Sequence, residues 1–134
     1  MKTYVLDASA LFIFLQRKAS ALKVSELFKE ALRGRAEILM SAVNCGEVYG
    51  VILKEHGPER ATAAMSAIYP LPLQLIDATR QNALRAAEIK VRHKLYYVDS
   101  FAASLAVDRK ATLVTSDSDF RGLGNTLSIL WLKQ

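Results

Sequence analysis

The stretch Leu113-Val-Thr-Ser-Asp-Ser-Asp-Phe120 joins a short apolar run to two aspartates that are one residue apart. The run Leu113–Thr115 predicts a buried strand, because strands covered on both faces are continuously apolar. In parallel sheets of this kind, ligands bind beyond the carboxyl ends of the strands. The stretch therefore predicts an α/β fold with a polar site directly after this strand, at Asp117 and Asp119.

Short apolar strands alternate with amphipathic helices along the rest of the chain. The other predicted strands are Thr3–Leu6, Glu37–Met40, Leu73–Ile76 and Leu127–Trp131. The predicted helices are one from Ser9 or Ala10 to Leu15, Ser20–Arg33, one capped by Ser41 and ending near His56, Glu59–Ile68, one capped by Asp77 and ending near His93, and Asp99–Asp108. The inward residues of the second helix are expected to be Leu22, Val24, Leu27, Phe28, Ala31 and Leu32. This alternation predicts one domain over residues 1–134, an α/β/α three-layer sandwich with a mostly parallel central sheet.

The size and composition predict a single cytoplasmic domain. The chain has 134 residues, enough for one sizeable core. Its longest uncharged stretch, residues 61–76, contains Pro70 and Pro72 and is shorter than a membrane span, which takes roughly 18 apolar residues. Asp7 interrupts the apolar N-terminus, so no signal peptide is expected. The one cysteine, Cys45, cannot form an internal disulfide, which fits a reducing cytosol.

The charge balance is basic, with 18 lysines and arginines against 13 acids. Such a surplus is ordinary for a soluble surface. The basic surplus becomes informative about function if several of the acids lie in one pocket. The candidates for such a pocket are Asp7, Glu47, Asp99, Asp117 and Asp119. Setting those aside leaves 18 basic side chains against 8 acidic ones. An acidic pocket on an otherwise basic protein suits a polyanionic partner, with metal ions bound in the pocket.

Taken singly, each of these acids has a structural explanation as a helix cap, a turn residue or a solvated side chain. Glu47 is the acid that this structural explanation fits least well. Gly46 and Gly50 lie beside it on the same helix and would let another backbone approach closely. A carboxylate beside such an approach is expected to be partly buried, and it then needs a cation or a hydrogen-bond donor.

Taken together, the acids predict a metal site. Two of them follow strands at the same edge of the predicted sheet, and two more lie at or near helix starts. Hard oxygen ligands select Mg²⁺ or Mn²⁺. The chain has no CxxC, no HExxH and no histidine cluster, so zinc is not expected.

Four segments in this order resemble the PIN-domain ribonucleases, and within them the VapC toxins of prokaryotic toxin–antitoxin pairs. They are YVLDASAL (residues 4–11), SAVNCGEV (41–48), YVDSFAASLA (97–106) and TLVTSDSDF (112–120), which together cover nearly the whole chain. The resemblance implies an endoribonuclease that uses Mg²⁺ or Mn²⁺ to cut RNA and inhibit translation or growth. It also implies a small VapB-like antitoxin and a homodimer of this chain.

Individual residues of the chain match the functional positions of the family. The residues that match the family's acids are Asp7, Glu47, Asp99 and Asp117, with Asp119 as a more variable fifth acid. Ser9, Asn44 and Thr115 match polar residues that orient those carboxylates. The chain departs from the family at Tyr96, where a small polar residue is common, and this affects the local substrate groove.

Individual roles follow from position. Asp7 and Asp117 lie at strand ends and are expected to be metal ligands, and Asp99 a ligand directly or through water. Glu47 is either a ligand or the base that acts on the attacking water, and Asp119 supports the site or binds a second ion. The expected RNA contacts are Arg121, Arg85, Arg92 and Tyr96.

Several alternatives stay open. The basic segment from Arg80 to Lys94 is either a solvated helix face or a phosphate track, and the run Leu11–Leu15 is either core or a docking surface for a partner. A phosphoryl-acceptor domain would need an adjacent acidic pair after the first strand, and a D-x-D phosphatase would need an aspartate at Ser9. A catalytically silent PIN-fold module that binds RNA or protein remains the alternative.

Overall fold

The computed structural model describes residues 1–133, with five strands, six α-helices and one 3₁₀ helix among them. The strands are β1 Lys2–Leu6, β2 Ala36–Ser41, β3 Gln74–Ile76, β4 Thr112–Thr115 and β5 Ser128–Trp131. The helices are α1 Ala8–Leu15, α2 Ala21–Leu32, α3 Ala42–His56, α4 Pro58–Ile68, α5 Arg80–His93 and α6 Tyr97–Asp108, and the 3₁₀ helix is Ser118–Leu123.

The five strands form one sheet in the order β3-β2-β1-β4-β5, and every neighbouring pair is parallel. The predicted α/β class and mostly parallel sheet are confirmed, and the sheet of the described residues is parallel throughout. The chain builds outward from β1 to β3 and then returns to place β4 on the other side of β1. The crevice between the carboxyl ends of β1 and β4 is thus the point where the strand order reverses, the usual ligand site of such sheets.

Helices cover both faces of the sheet, as the continuously apolar strands predict. On one face, Val5, Leu39 and Leu113 pack against α5 and α6. On the other face, Leu6, Ile38 and Val114 pack against α1 and α2. Residues next to each other in a strand therefore enter different core clusters, and the three-layer prediction is confirmed.

The inward face of α2 is narrower than the sequence prediction. Val24, Leu27 and Phe28 are buried, but Leu22 and Leu32 are 76% and 75% exposed, so their predicted burial is wrong. Successive helix residues are about 100° apart, which places Leu22 almost opposite the buried stripe and Leu32 about a quarter-turn from it.

Two helix starts also differ from the prediction. The N-cap of α5 is Thr79 rather than Asp77, because Thr79 and Asn82 exchange side-chain-to-backbone hydrogen bonds in a capping box. Helix α6 starts at Tyr97, so Asp99 lies inside its first turn instead of capping it. The position suits a carboxylate because the N-terminus of a helix carries partial positive charge. None of the helices in the described residues is long and apolar enough to cross a membrane.

Candidate metal centre

Asp7 is fixed at the end of β1 by four of its neighbours. Its Oδ1 accepts hydrogen bonds from the Ala10 amide at 2.9 Å and the Ser9 hydroxyl at 2.7 Å, and its Oδ2 accepts one from Thr115. The Asp7 amide itself donates to the Val114 carbonyl at 3.3 Å. The side chain caps α1 and is only 4% exposed. Asp7 therefore presents its carboxylate to the crevice in one orientation.

Ser9 and Thr115 tie the two strand ends together. The Ser9 hydroxyl accepts a hydrogen bond from the Ser116 amide at 3.0 Å and lies 3.2 Å from the Thr115 hydroxyl. The Thr115 hydroxyl accepts from the Asp117 amide at 2.9 Å while it donates to Asp7. Both hydroxyls thus orient Asp7, and Thr115 also positions the backbone of Asp117.

Asn44 and Glu47 reach the crevice from α3. Asn44 is 1% exposed, and its Nδ2 donates to the Val98 carbonyl at 3.0 Å, which holds α3 against the first turn of α6. Glu47 Oε1 and Asn44 Oδ1 are buried and accept no hydrogen bond from the described residues. The expected close approach at Gly46 and Gly50 is wrong, because both are exposed and no atom lies within 4 Å of a Cβ placed there.

Asp99, Asp117 and Asp119 come closest to one another. One carboxylate oxygen of each lies within 4.8 Å of the others. Asp117 caps the 3₁₀ helix, and its Oδ1 accepts a hydrogen bond from the Asp119 amide at 2.9 Å. The group includes Asp119, which was expected to support the site or to bind a second ion, and Asp7 is not part of it.

The electrostatics of the crevice oppose the charged state of these acids. Burial, and then the charges of Asp117, Glu47, Asp7 and Asp119, raise the pKa of Asp99 to about 7. Burial, followed by the charges of Asp7 and Asp117, raises the pKa of Glu47. Burial also raises the pKa of Asp7, although its three hydrogen bonds partly offset the rise. The five carboxylates therefore share one electrostatic environment.

The donor set fits a hard divalent cation. Within residues 1–133 none of the five acids forms a salt bridge with a lysine or an arginine. Among the described residues, the crevice thus holds several carboxylates and a buried acceptor oxygen that form no ion pair with a lysine or an arginine. Oxygen ligands alone favour Mg²⁺ or Mn²⁺ over zinc.

The predicted RNA contacts divide into two groups. Arg121, Arg92 and Tyr96 are exposed, and Arg121 lies in the same 3₁₀ helix as Asp119. Arg85 is instead held by both carboxylate oxygens of Asp108, at the end of α6 opposite Asp99. Asp99 and Asp108 are nine residues apart, which is about 13 Å along the helix at 1.5 Å per residue, so Arg85 stabilises α5 against α6 away from the crevice.

Two residues of the basic segment, which was interpreted either as a solvated helix face or as a phosphate track, lie beside the site. Lys90 and Lys94 line a cavity that Asp119 also lines. Lys90 lies in the last turn of α5, and Lys94 is its C-cap residue, with a left-handed backbone at φ 58°.

The run Leu11–Leu15 divides between the core and a groove. Leu11 and Ile13 are buried, and the Phe14 ring meets Phe28 edge-on at 5.0 Å. Phe12 instead lines a groove of about 240 Å³ between α1 and α3, together with Val51 and Ile52. Ser9 lines the same groove, which therefore reaches the neighbourhood of Asp7.

The sequence model of the PIN domain matches residues 4–125. Among curated proteins, none matches the chain significantly in sequence.

The fold is similar to solved toxin–antitoxin structures. VapBC2 from Rickettsia felis bound to a promoter DNA fragment matches with TM-score 0.77 and 19% identity, covering 98% of this chain and 99% of that one. DNA-bound VapBC from Salmonella typhimurium matches with TM-score 0.73 and 18% identity over 97% and 98% of the two chains. Mycobacterium tuberculosis VapC20, described as a toxin that cleaves the sarcin–ricin loop, matches with TM-score 0.68 and 17% identity over 90% and 95%.

Proposed function

The chain belongs to the PIN-domain family, and from that premise we propose that it is a metal-dependent endoribonuclease that hydrolyses RNA phosphodiester bonds. The observation that carries the proposal is the meeting of five carboxylates at the reversal point of the sheet without a basic partner among the described residues. Such a site binds divalent cations, and divalent cations are the usual means of hydrolysing phosphodiesters.

The position of each residue in the site indicates its role in the proposed hydrolysis. Asp99, Asp117 and Asp119 would hold Mg²⁺ or Mn²⁺, with Asp7 as a further ligand beside them. When bound, such an ion polarises the phosphate and lowers the pKa of a water molecule. Ser9 and Thr115 keep Asp7 in one rotamer, so that the ligand geometry is set before the ion arrives. Glu47 would accept the proton of the attacking water through Oε1, a role supported by the position of this buried oxygen, which accepts no hydrogen bond from the described residues, and by the raised pKa of Glu47.

An RNA substrate fits the charge distribution. The excess of basic side chains outside the acidic crevice suits a polyanion. Arg121 and Arg92 are exposed, and Arg121 is two residues from Asp119, where a phosphate would approach the centre. The description of the structurally similar VapC20 as a toxin that cleaves the sarcin–ricin loop supports RNA as the substrate class. Such a substrate implies that the protein acts in the cytoplasm.

We further infer that the chain is the toxin of a toxin–antitoxin pair and inhibits translation or growth. The similar structures from Rickettsia felis and Salmonella typhimurium are complexes described as VapBC, which supports a VapB-like antitoxin. An apolar segment of that partner would lie in the groove at Phe12, and a basic side chain of the same segment would reach Asp7 past Ser9. A cation there would neutralise the carboxylates in place of the metal.

A homodimer is supported by the exposed face of α5. Leu84 lies on that face and is 61% exposed. A second copy of the chain would cover this side chain. Dimerisation through this face would leave the groove at Phe12 free for the antitoxin.

The competing function is a catalytically silent module that binds RNA or protein. The complete set of five acids, each interacting with the others, disfavours it, because a binding role needs no cluster of mutually repelling carboxylates. Cleavage of RNA separates the two functions.

The test is incubation of the purified chain with labelled single-stranded RNA in Mg²⁺, in Mn²⁺ and in EDTA. We expect cleavage with either ion, none in EDTA, and none with Asp117→Asn. Asp77→Asn is the matched control, because Asp77 follows β3 at the same sheet edge but is exposed and outside the acidic group. Cleavage in EDTA, or by Asp117→Asn at the wild-type rate, would contradict the proposal.

A further inference from the structure

A cavity of about 650 Å³ lies directly beside the metal centre. Its wall is formed by the end of α5, the start of α6 and one acid: Lys90, Val91, Lys94, Leu95, Tyr96 and Asp119. Asp119 also belongs to the group of three carboxylates. The cavity therefore continues from the site where the scissile phosphate would be held.

The chemistry of the cavity wall differs from that of the crevice. Lys90 and Lys94 are one helical turn apart, both are exposed, and neither forms a salt bridge within residues 1–133. Tyr96 is 75% exposed, so the faces of its ring are open to solvent. Two unpaired ammonium groups and an open aromatic ring are the groups with which proteins bind single-stranded nucleic acid.

We propose that this cavity is a subsite for one unpaired nucleotide next to the scissile phosphate, with Lys90 and Lys94 on its phosphates and Tyr96 stacked on its base. The inference rests on the proposed nuclease function and adds the residues of this chain that would hold a nucleotide beside the metal centre. A base stacks on Tyr96 only when it has left the RNA duplex. Stacking tolerates any base, so the subsite selects for single-stranded RNA rather than for sequence.

The strand selectivity is tested by binding, separately from cleavage. A labelled single-stranded RNA, and the same RNA annealed into a duplex, are titrated with the whole protein in EDTA over a range of salt concentrations. Wild type binds the single strand more tightly than the duplex. Tyr96→Ala weakens single-strand binding about tenfold, Tyr96→Phe retains it because the ring remains, and duplex binding changes in neither variant.

The lysines are tested against a matched control. Lys94→Ala and Lys90→Ala each lower the salt dependence of single-strand binding by about 0.7 in log–log slope, as expected for one lost phosphate contact. Lys110→Ala leaves it unchanged. Lys110 is also exposed and left-handed, with φ 51°, but it precedes β4 at the opposite edge of the sheet. The control therefore removes the same charge from the same backbone conformation.

Three results would overturn the subsite: equal losses for Lys94→Ala and Lys110→Ala, wild-type binding by Tyr96→Ala, or equal affinity of the wild type for single strand and duplex. A change of molecular mass in solution for Tyr96→Ala or Lys94→Ala would instead make the cavity an interface between two copies, which also overturns it. If the wild type cleaves RNA but the Tyr96, Lys90 and Lys94 variants bind RNA as the wild type does, the subsite is refuted and the nuclease function stands. If the wild type binds single-stranded RNA more tightly than duplex RNA but shows no metal-dependent cleavage, the nuclease function is refuted and the subsite stands.

Discussion

Thr115, the last residue of β4, donates its hydroxyl to Oδ2 of Asp7, the residue directly after β1. The two residues are 108 positions apart in the chain. They meet because β1 and β4 are parallel neighbours with Leu6 opposite Val114. This one hydrogen bond joins the two strand ends at the point where the order of the sheet reverses, and it sets the orientation of the most buried acid of the site.

Thr115→Val should destabilise the protein because it removes that hydroxyl at almost constant volume. Asp7 Oδ2 and the Asp117 amide both lose a partner. The expected loss in the free energy of unfolding is about 1–3 kcal/mol, measured by urea denaturation. The pKa of Asp7 should rise further, because the Thr115 hydrogen bond lowers it.

Thr112→Val is the control, since Thr112 occupies the other end of the same strand. An equal loss for both variants would show a general effect of threonine in β4 rather than a role for Thr115 at the site.

The position of the acids was predictable because parallel strands bring their carboxyl ends to one edge, so that the sequence alone places Asp7 near Asp117. A role for Asp119 was also predicted, but its grouping with Asp99 was not, because it depends on how the 3₁₀ helix and α6 meet; the Asp117 side chain caps that 3₁₀ helix by accepting the Asp119 amide. The exposure of Leu22 follows from its angular position on α2, almost opposite the buried residues, and this position is given by the sequence at 100° per residue.

Other features depend on tertiary contacts that leave no local signal. Asp77 and Thr79 are both good N-caps, and the reciprocal bond with Asn82 decides for Thr79. Arg85 is indistinguishable from its basic neighbours until α6 places Asp108 against it. The partial burial of Glu47 was predicted, but it accompanies the packing of α3 on α6 through Asn44 rather than a close approach at the glycines.

The metal-free protein should lose stability as the pH rises. The pKa of Asp99 is raised from 3.8 to about 7, and those of Asp7 and Glu47 are also raised. These groups hold their protons more tightly when folded, so their contribution is complete below their ordinary pKa values and disappears as the pH passes through the raised ones. In EDTA, the free energy of unfolding should be higher at about pH 5 than at about pH 8.

Asp99→Asn provides the check on this pH dependence, because an amide does not titrate. The difference between the two pH values should shrink in the variant. Saturating Mg²⁺ should also reduce it in the wild type, since the ion favours the charged carboxylates. A wild-type protein that becomes more stable with rising pH in EDTA would contradict the raised pKa values.

Phe12 and Phe14 should separate partner binding from stability. Phe14→Ala removes the ring that packs on Phe28 and should lower the free energy of unfolding by about 3 kcal/mol. Phe12→Ala should cost less stability but weaken binding of the antitoxin expressed from the adjacent reading frame. Calorimetric titration of the two variants against that partner measures the difference. Unchanged binding by Phe12→Ala would place the partner elsewhere.

Arg121 and Arg85 should differ in RNA binding although both are arginines. Arg121→Ala should weaken binding and lower the salt slope by about 0.7, because it removes a phosphate contact. Arg85→Ala should leave the slope unchanged and reduce stability, because its guanidinium is already engaged by Asp108. Affinities are compared across a salt series for both variants. Equal slopes for the two would mean that the basic charge acts without regard to position.

Direct binding of Mn²⁺ to the purified protein tests the central claim without requiring the RNA target to be known. Electron paramagnetic resonance counts the free and bound ion for wild type, Asp117→Asn and the control Asp77→Asn. The account predicts that wild type and Asp77→Asn bind Mn²⁺ alike and that Asp117→Asn loses the site, because Asp117 is one of the three carboxylates that approach within 4.8 Å. Equal binding by wild type and Asp117→Asn would contradict it.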